Sequence, residues 1–236
     1  MELVIGIDEA GRGAVLGPLV ICGVTGDTGT REILWDLDIG DSKNYSPSER
    51  EELAVEIRRC AKDVGIVAVP PALIDRAVPL HQLNRLEAKV MAFLINRTDT
   101  DTAYIDAPGR IPPGLPDHQL APGNFRRVIQ QLVRSGVRII AENRADERYP
   151  LVAAASILAK VERDHAITQI ACTYDCDIGS GYPDRKTTAF LTGYYRAHRC
   201  FPREMRMSWK TRHAIIRSVT ERGLDDFGLD QEDSGE

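Results

Sequence analysis

A short apolar run near the N-terminus ends in two adjacent carboxylates. Leu-Val-Ile-Gly-Ile at 3–7 precedes Asp8 and Glu9, and a Gly-Arg-Gly turn follows at 11–13. An apolar run of this length before a glycine turn predicts a buried β-strand with the two acids at its exit. Because ligands gather where the strands of an α/β sheet end, this carboxylate pair is well placed to hold a hard divalent cation.

The Gly-Arg-Gly turn adds groups that suit phosphate. Gly11 and Gly13 allow positive φ angles and bring backbone N–H groups close to a ligand, and the Arg12 guanidinium offers a cationic fork for phosphate oxygens. Carboxylates for a metal beside amides for phosphate indicate phosphoryl chemistry. The structural alternative is a solvated strand end with a tight turn, which this segment alone leaves open.

The length and composition of the chain fit one large domain, or one domain with an appendage. Its 236 residues are 43% hydrophobic, which allows a substantial core. No apolar stretch approaches the roughly 20 residues of a membrane helix, and the N-terminus lacks the features of a signal peptide, so we expect a cytoplasmic protein. The five cysteines show no CxxC spacing, which predicts free thiols that are mostly buried.

The net charge of −5 conceals two oppositely charged segments near the C-terminus. Residues 182–222 carry ten Lys or Arg and three Asp or Glu, a net charge of +7, whereas residues 223–236 carry six acids and no base. Clustered cations can follow a phosphate backbone. A solvated helical face is the alternative explanation of the basic segment.

Strand and helix signals alternate along the chain. Strands are predicted at 3–7, 16–24, 64–69, 102–105 and 137–141. A capping box at Ser46 and Glu49 begins one helix, and others are predicted at about 83–94, from an N-cap at Asn124 to about 135, at about 151–170 and from there to about 219. Residues 107–123 hold five prolines and three glycines and predict an irregular loop. This order predicts an α/β fold, a mixed five-stranded sheet flanked by helices with a helical C-terminal extension.

Four carboxylates follow strands of this predicted sheet. Asp8 and Glu9 leave the first strand, Asp106 leaves the fourth, and Asp146 follows the fifth. Such like charges would repel one another unless cations neutralise them. Two Mg²⁺ ions about 4 Å apart can clamp the attacking and leaving oxygens of an in-line displacement, which indicates phosphodiester hydrolysis. The alternative for Asp146 is that it caps the following helix.

Six separated motifs resemble the ribonuclease HII (type 2 ribonuclease H) family over roughly residues 1–200. In chain order they are DEAGRG at 8–13, DSK at 41–43, ID at 105–106, AD at 145–146 with YP at 149–150, ASILAK at 155–160 with RD at 163–164, and GY at 181–182. The resemblance implies a ribonuclease H-like fold and an endonuclease that cuts the RNA strand of RNA/DNA hybrids and single ribonucleotides in duplex DNA. It also implies two divalent cations, Mg²⁺ or Mn²⁺, and products with 3′-hydroxyl and 5′-phosphate ends.

The resemblance further implies a role for each matching residue. Asp8 would bridge the two metals, Glu9 and Asp106 would complete the leaving-group side, and Asp146 would hold the metal that activates water. The backbone of Gly11, Arg12 and Gly13 would contact the ribose 2′-hydroxyl. Tyr182 would contact the same hydroxyl and pack on the adjacent deoxyribose, and the remaining substrate-binding residues would be Lys43, Ser156 and Lys160.

Several of these residues have structural alternatives. Tyr182 follows Gly-Ser-Gly, which predicts an exposed loop, but a partly buried anchor is also possible. Ser156, Lys160 and Arg163 share one helix face that could line a groove, yet Lys160 could instead pair with Asp164 at a spacing of i,i+4. Asp164 is also a rival for a metal-binding role.

The resemblance also suggests three regions and a partner. A catalytic domain would span 1–175, a basic helical extension at 176–222 would complete the substrate groove, and 223–236 would be a disordered acidic tail. Leu224 and Phe227 are similar to the apolar residues of the peptide by which some family members bind the sliding clamp. Glu221 and Gly228 replace the expected glutamine and aromatic residue, so we expect weak binding. The alternatives are a tail that only solubilises the protein, or one that folds back on the basic segment.

Two other functions are open on the residues. A hybrid-binding module without cleavage would favour neutral or basic residues where the four acids stand. A DNA resolvase or transposase-like nuclease would share the carboxylates but lack the Gly-Arg-Gly turn and Tyr182. The five histidines lack the spacing of zinc ligands, so zinc catalysis is not expected.

Overall fold

A mixed sheet of five strands organises the chain. The strands are β1 (Val4–Ala10), β2 (Leu19–Gly26), β3 (Asp63–Val69), β4 (Thr102–Asp106) and β5 (Arg138–Glu142). The computed structural model describes residues 2–39, 45–108 and 122–225, with the backbone alone at 122–123 and 221–225. Within these ranges the strand order is β3-β2-β1-β4-β5, in which β1 pairs antiparallel with β2 and parallel with β4. The predicted α/β fold with a mixed five-stranded sheet is confirmed.

The described part of the chain contains eight α-helices. They are α1 (Thr28–Asp36), α2 (Pro47–Cys60), α3 (Pro71–Ala77), α4 (Leu83–Asn96), α5 (Pro122–Leu132), α6 (Pro150–Tyr174), α7 (Arg185–His198) and α8 (Lys210–Asp225). Short 3₁₀ turns lie at Val78–Leu80 and Ala145–Glu147. The predicted capping box begins α2, since the Ser46 and Glu49 side chains each accept the other's backbone N–H.

Two apolar cores cover the two faces of the sheet. Helices α3, α4 and α5 pack on the face that carries Ile5 and Ile7. Helices α1, α2 and α6 pack on the opposite face, where α6 begins directly over Gly6. A Cβ atom at Gly6 would lie 2.2 Å from the backbone carbonyl carbon of Leu151, so only glycine allows α6 to approach β1 this closely.

A third core joins the C-terminal helices to the end of α6. It is formed by buried side chains from α6, α7, α8, the loop between β1 and β2, the loop between α6 and α7 and the loop before α8: Val15, Leu16, Ile167, Ile170, Ile178, Leu191, Met205, Ile215 and Val219. Helix α6 therefore contributes its first half to the sheet and its second half to this third core. Helix α8 continues to Asp225, so the first three residues of the predicted disordered tail are helical.

The element boundaries differ from the prediction at several points. β2 begins at Leu19 rather than at residue 16, because Gly17 has a φ of +83° and Leu16 instead bridges to Met205. Helix α5 begins at Pro122, so Asn124 lies in its first turn and is not the N-cap. Helix α1, which the apolar pattern does not predict, is capped by Asp27, whose side chain accepts the Thr30 N–H at 2.9 Å.

The predicted burial of the cysteines is wrong for most of them. All five are free, but only Cys22 is buried, Cys60 is half-buried, and Cys172, Cys176 and Cys200 are exposed. None of the described helices combines the length and the apolarity needed to cross a bilayer.

Candidate active site

The adjacent acids of β1 point to opposite faces of the sheet. Successive side chains of a strand alternate between faces, so Asp8 shares the α6 face with Gly6, and Glu9 shares the α4 face. Accordingly, the Ser156 hydroxyl of α6 donates a hydrogen bond to Asp8, and the charge that reaches Glu9 from α4 is that of Glu87. The two carboxylates thus meet different helices at the same strand exit.

The Asp8 carboxyl lies in an unfavourable electrostatic environment. It is 5% exposed, and burial followed by the negative charge of Asp106 raises its pKa to about 8. Hydrogen bonds from Ser156 and from the Glu9 N–H, at 2.7 Å, oppose this shift, and Asp146 adds to it. A nearby positive charge would favour the ionised form of this carboxyl.

Glu9 experiences the same conditions. Burial, Asp8 and Glu87 raise the pKa of Glu9 well above its usual value. Its Oε2 atom is buried and has no hydrogen-bond partner among the described residues. An unpaired buried carboxylate oxygen is costly, and an added cation or donor would relieve that cost.

The Arg12 side chain, predicted as a phosphate fork, pairs with two residues of α4 in the absence of substrate. Its Nε donates to the Glu87 Oε1 at 2.8 Å, and its Nη2 donates to Asn84. Glu87 is fully buried on α4, and burial raises its pKa although Arg12 opposes the shift. The guanidinium pairs this buried carboxylate and so holds the Gly-Arg-Gly turn on α4, and its phosphate contact stays a prediction.

One cleft of about 420 Å³ brings the predicted site together. Asp106 follows β4 and accepts the Ala145 N–H at 2.8 Å, which ties it to the 3₁₀ turn that carries Asp146. The lining contains ten of the eleven predicted site residues: Asp8, Glu9, Gly11, Arg12, Gly13, Asp106, Asp146, Ser156, Lys160 and Tyr182. The eleventh, Lys43, lies outside the described residues.

The acids line this cleft without forming a closed metal cage. Across residues 2–39, 45–108 and 122–225, no three His, Cys, Asp or Glu side chains come together as a ready-made ligand set. Mg²⁺ commonly keeps several water ligands and also binds substrate phosphate oxygens. A magnesium site therefore needs fewer protein ligands than a closed structural metal site, and an open carboxylate cleft is compatible with it.

Arg206 binds the backbone of the Gly-Arg-Gly turn. This arginine is fully buried, and it donates from Nε to the Gly17 carbonyl and from Nη1 to the Arg12 carbonyl, both at 3.0 Å. Burial, with the nearby charge of Arg163, lowers its pKa to about 10. A buried cation therefore fixes the backbone of this turn.

Tyr182 lies over a second buried arginine. The Arg163 guanidinium lies 4.5 Å from the centre of the Tyr182 ring and donates to the Ser180 carbonyl at 2.7 Å. The Gly181 carbonyl accepts the Val15 and Leu16 N–H groups at 2.8 and 3.0 Å, so the tyrosine loop and the Gly-Arg-Gly turn form one hydrogen-bonded unit. Gly11 has a φ of +89°, and a Cβ there would lie 2.5 Å from the Arg163 Nε, so this position requires glycine.

The predicted groove-lining face of α6 divides into three different environments. Ser156 bonds to Asp8, while Lys160 lines the cleft and also pairs with Asp164 at 3.1 Å, the i,i+4 contact considered above. Arg163 is fully buried and so does not line an open groove. Asp164 pairs with Lys160 and with Arg50 and is absent from the cleft lining.

Comparison with known proteins decides the family. The ribonuclease HII family model matches residues 5–212. The chain belongs to the ribonuclease HII family. It is therefore an endoribonuclease of the ribonuclease H type, and metal dependence is consistent with the family.

Relatives of known name support this assignment over almost the whole length of the chain. A ribonuclease HII from Cenarchaeum symbiosum is 39% identical over 214 residues, which covers 90% of this chain and 98% of the relative. The crystal structure of ribonuclease H2 from Pyrococcus horikoshii OT3 has a TM-score of 0.81 and 34% identity, covering 93% of this chain and 99% of that one. A PCNA:RNase HII complex from Archaeoglobus fulgidus has a TM-score of 0.76 and 38% identity, covering 88% and 94%.

Sequence reasoning missed Glu87 and Arg206 in this ribonuclease HII site. Glu87 lies one turn after Leu83 on the apolar stripe of α4, and a carboxylate within such a stripe is a usable signal of a buried ion pair. Arg206 bonds to backbone carbonyls 189 and 194 positions away, for which no local pattern exists.

We expect the metal-free protein to lose stability as the pH rises from 5.5 to 8.5. The pKa of Asp8 is about 8 in the folded state and 3.8 as its ordinary value, so the folded state holds the proton more tightly between these values. The stabilisation that protonated Asp8 gives to the folded state is fully present below pH 3.8, the ordinary pKa. It is lost as the pH rises through about 8, the pKa in the folded state. The free energy of unfolding in EDTA, from urea titrations, should fall by about 3 kcal/mol over this interval.

The variant Asp8→Asn removes the Asp8 carboxyl together with the charge that helps to raise the pKa of Glu9. It should show a flatter dependence than the wild type over the same interval. Asp27 and Asp184, whose pKa values are lowered to about 2, are ionised throughout and do not contribute. A stability that rises with pH in EDTA would contradict this account of the cleft.

Proposed function

We propose that this endonuclease cuts the RNA strand of RNA/DNA hybrids, and single ribonucleotides embedded in duplex DNA, with two divalent cations. The observation that carries the proposal is the shared cleft, in which four carboxylates lie beside the Gly-Arg-Gly turn and Tyr182. Acids suit the phosphodiester chemistry, while the turn and the tyrosine suit recognition of ribose. Family membership supports the hybrid as substrate.

The cleft residues fit hard divalent cations. Glu9 has a buried oxygen without a partner among the described residues, and Asp8 is buried beside Asp106 and Asp146. Asp8 would be shared by two ions, Glu9 and Asp106 would hold the ion on the leaving-group side, and Asp146 would hold the other. When bound, Mg²⁺ or Mn²⁺ supplies the positive charge that neutralises the carboxylates, activates water and stabilises the leaving oxygen.

The chain's own groups position the reacting phosphodiester. Ser156 holds the Asp8 carboxylate by a hydrogen bond, and the Ala145 N–H holds Asp106. Lys160 lines the cleft and adds a positive charge for the phosphate oxygens. Water attacks phosphorus and the bond to the 3′ oxygen breaks, which leaves a 3′-hydroxyl on one product and a 5′-phosphate on the other.

Selection of ribose is the proposed task of the turn and the tyrosine. The backbone of residues 11–13 is held from two sides, by Arg206 on the Arg12 carbonyl and by the Arg12–Glu87 pair. A backbone fixed in this way can contact a 2′-hydroxyl without a loss of conformational entropy on binding. Gly13 lacks a side chain where a Cβ would lie 3.8 Å from the Tyr182 ring, which keeps the space beside the tyrosine open.

A cleavage assay on three duplexes tests this function. The substrates are a DNA duplex with one ribonucleotide, a continuous RNA/DNA hybrid and an all-DNA duplex, each with Mg²⁺ or Mn²⁺. We expect cuts in the first two, 5′ to a ribonucleotide phosphate, and none in the third. Binding without cleavage would favour a hybrid-binding module, and cutting of the all-DNA duplex would favour a resolvase-like nuclease.

Removal of the Tyr182 ring should change selectivity. We expect Tyr182→Ala to reduce cutting at a lone ribonucleotide more than cutting within a continuous hybrid, because only the lone site presents ribose followed by deoxyribose to the ring. Loss of one aromatic stacking contact corresponds to about 1–3 kcal/mol, or roughly 10- to 100-fold in kcat/KM on the junction substrate. Tyr182→Phe is the matched control, since it keeps the ring over Arg163 and removes only the hydroxyl. Equal losses on both substrates would assign Tyr182 a structural role.

We also propose that the C-terminal region serves binding. In this division the catalytic domain spans 1–175, the basic extension at 176–222 completes the substrate groove, and the acidic segment 223–236 carries Leu224 and Phe227 for a sliding clamp. The Leu224 side chain and all of Phe227 lie outside the described residues. The Archaeoglobus fulgidus relative in complex with PCNA supports the clamp as a partner class.

Clamp binding should be weak and should depend on Phe227. A peptide of residues 218–236 is titrated into the cognate clamp by calorimetry, with a Phe227→Ala peptide as the control. We expect micromolar binding that the substitution abolishes, because an apolar side chain of an ordering peptide fills the partner's pocket. Absence of binding at high micromolar concentration, or equal binding of both peptides, would leave the tail as a solubilising segment.

A further inference from the structure

A basic groove runs along the outer edge of β5, outside the catalytic cleft. Helix α5 and strand β5 form its walls, and its volume is about 690 Å³. Three arginines line it: Arg126 and Arg127 from α5 and Arg138 from β5. None of the proposed catalytic roles uses these residues.

The three guanidinium groups concentrate positive charge in a groove whose lining also contains the carboxylate of Glu142. All three are exposed, and none has a carboxylate partner within residues 2–39, 45–108 and 122–225. Nearby arginines are paired instead, since Arg148 contacts Glu142 at 2.8 Å and Arg134 contacts Asp99 at 3.5 Å. Adjacent cations that repel one another in the free protein are stabilised by a bound polyanion.

The strand beside these arginines adds backbone donors. β5 has β4 as its only strand neighbour among the described residues. The Arg138 N–H donates to the Asp101 carbonyl and the Glu142 carbonyl accepts the Ala107 N–H, so these residues face β4. Because N–H groups alternate in direction along a strand, those of Ile139 and Ala141 face outward. Backbone N–H groups beside arginines are common ligands of nucleic-acid phosphates.

Shared lining residues connect the groove to the catalytic cleft by way of a third pocket. Tyr149 lines both the groove and a smaller pocket of about 210 Å³ that also contains Trp35. Asp146 lines both that pocket and the cleft. A chain of shared lining residues therefore leads from the proposed metal ligands to the arginines. Trp35 on this path is 71% exposed, which suits a ring that stacks on a ligand.

We propose that this arginine groove binds the sugar-phosphate backbone of the substrate duplex at a distance from the cut. The proposal rests on the proposed function, because it extends the surface on which that substrate lies. Arg126, Arg127 and Arg138 contact successive phosphates, and the contacts are independent of base sequence. Affinity therefore depends on how far the duplex extends beyond the ribonucleotide on one side.

The test compares duplexes that extend to different lengths on either side of the ribonucleotide. One DNA duplex of about 10 bp, or about 34 Å, carries a central ribonucleotide, and two others extend it by about 15 bp on one side or the other. The variant Arg126→Ala/Arg138→Ala removes charge from both walls of the groove. The matched control Arg59→Ala/Arg97→Ala removes the same charge near the opposite, β3 edge of the sheet, where both arginines pair with surface acids. KM and kcat are measured for cleavage, and affinity is measured by fluorescence anisotropy in EDTA at several salt concentrations.

We expect the groove variant to raise KM about 10-fold on one of the two extended substrates, with kcat unchanged and with no effect on the short one. The slope of log affinity against log salt should fall by about 1.8, since each lost phosphate contact accounts for about 0.9. Arg126→Lys/Arg138→Lys keeps both charges and should keep the wild-type slope.

Three results would overturn the proposal. They are equal KM values of wild type and groove variant on every substrate, an equal effect of the β3-edge control, and binding of a polyglutamate peptide to the groove with unchanged duplex affinity. The last result would indicate an acidic peptide that pairs with β5. If the wild type cuts no ribonucleotide substrate, the proposed function fails, and anisotropy on the extended duplexes still decides whether the groove binds phosphate.

Discussion

Asp8→Asn should abolish cleavage almost completely while the fold persists. Asp8 is buried beside Asp106 and Asp146, and in the proposed mechanism it is the ligand that two cations share. Removing its charge weakens the binding of both ions, and stabilisation of the transition state by the metals is worth several kcal/mol. A loss of about 4 kcal/mol corresponds to roughly 10³-fold in kcat. Single-turnover cleavage of the one-ribonucleotide duplex at saturating metal measures this effect.

The same variant should be more stable than the wild type in EDTA at pH 8.5, because the buried carboxylate is then ionised without a counterion. Loss of activity together with a higher melting temperature separates a metal ligand from a structural residue. Asp99→Asn is the matched control, since the Asp99 side chain is fully exposed and pairs only loosely with Arg134. Near wild-type turnover of Asp8→Asn at saturating metal would remove Asp8 from the proposed mechanism.

Gly6→Ala should destabilise the fold more than any surface substitution. The added Cβ would lie 2.2 Å from the Leu151 carbonyl carbon and 2.4 Å from the Val152 nitrogen, and both are backbone atoms. The start of α6 must therefore move away from β1, which costs about 3 kcal/mol. For a chain of this size the melting temperature should fall by about 6–12 °C, measured by circular dichroism.

Gly193→Ala provides the contrast for this substitution. Gly193 lies within α7, and a Cβ there would meet nothing within 4 Å. Alanine in a helix interior is favoured over glycine by roughly 0.5–1 kcal/mol, so this variant should melt slightly higher than the wild type. Equal melting temperatures of Gly6→Ala and the wild type would mean that α6 does not bear on β1 as closely as described.

The fold could be predicted because its signals are local. The apolar run at 3–7, the capping box at Ser46 and the apolar stripe of α4 each lie within one element, and their order predicts the sheet. The carboxylates at strand ends were predictable for the same reason, since the exit of a strand is visible in the sequence. Helix α1 was missed although Asp27 and Thr30 supply a cap signal, because its apolar pattern is weak.

The buried arginines that hold the loops of the site could not be predicted, because they bond to backbone atoms that are remote in the sequence. Arg163 and Arg206 are charged residues in a basic segment or on a polar helix face, which favours solvent exposure, yet both are fully buried on loop carbonyls. The pairing of Arg12 with Glu87 could not be predicted, because nothing near Arg12 in the sequence shows that Glu87 would lie beside it. Burial of a long charged side chain depends on tertiary contacts, and those follow from the fold rather than from spacing.

Helix α6 connects the carboxylates to the loop of Tyr182 through one continuous element. Its 25 residues form one uninterrupted rod of about 37 Å. One end carries Ser156 against the carboxylates, and the other is set in the core that supports the loop of Tyr182. A change in the distance between the carboxylates and the Tyr182 loop would require this helix to bend and lose hydrogen bonds. The spacing between these two parts of the cleft is therefore set by the fold of the chain.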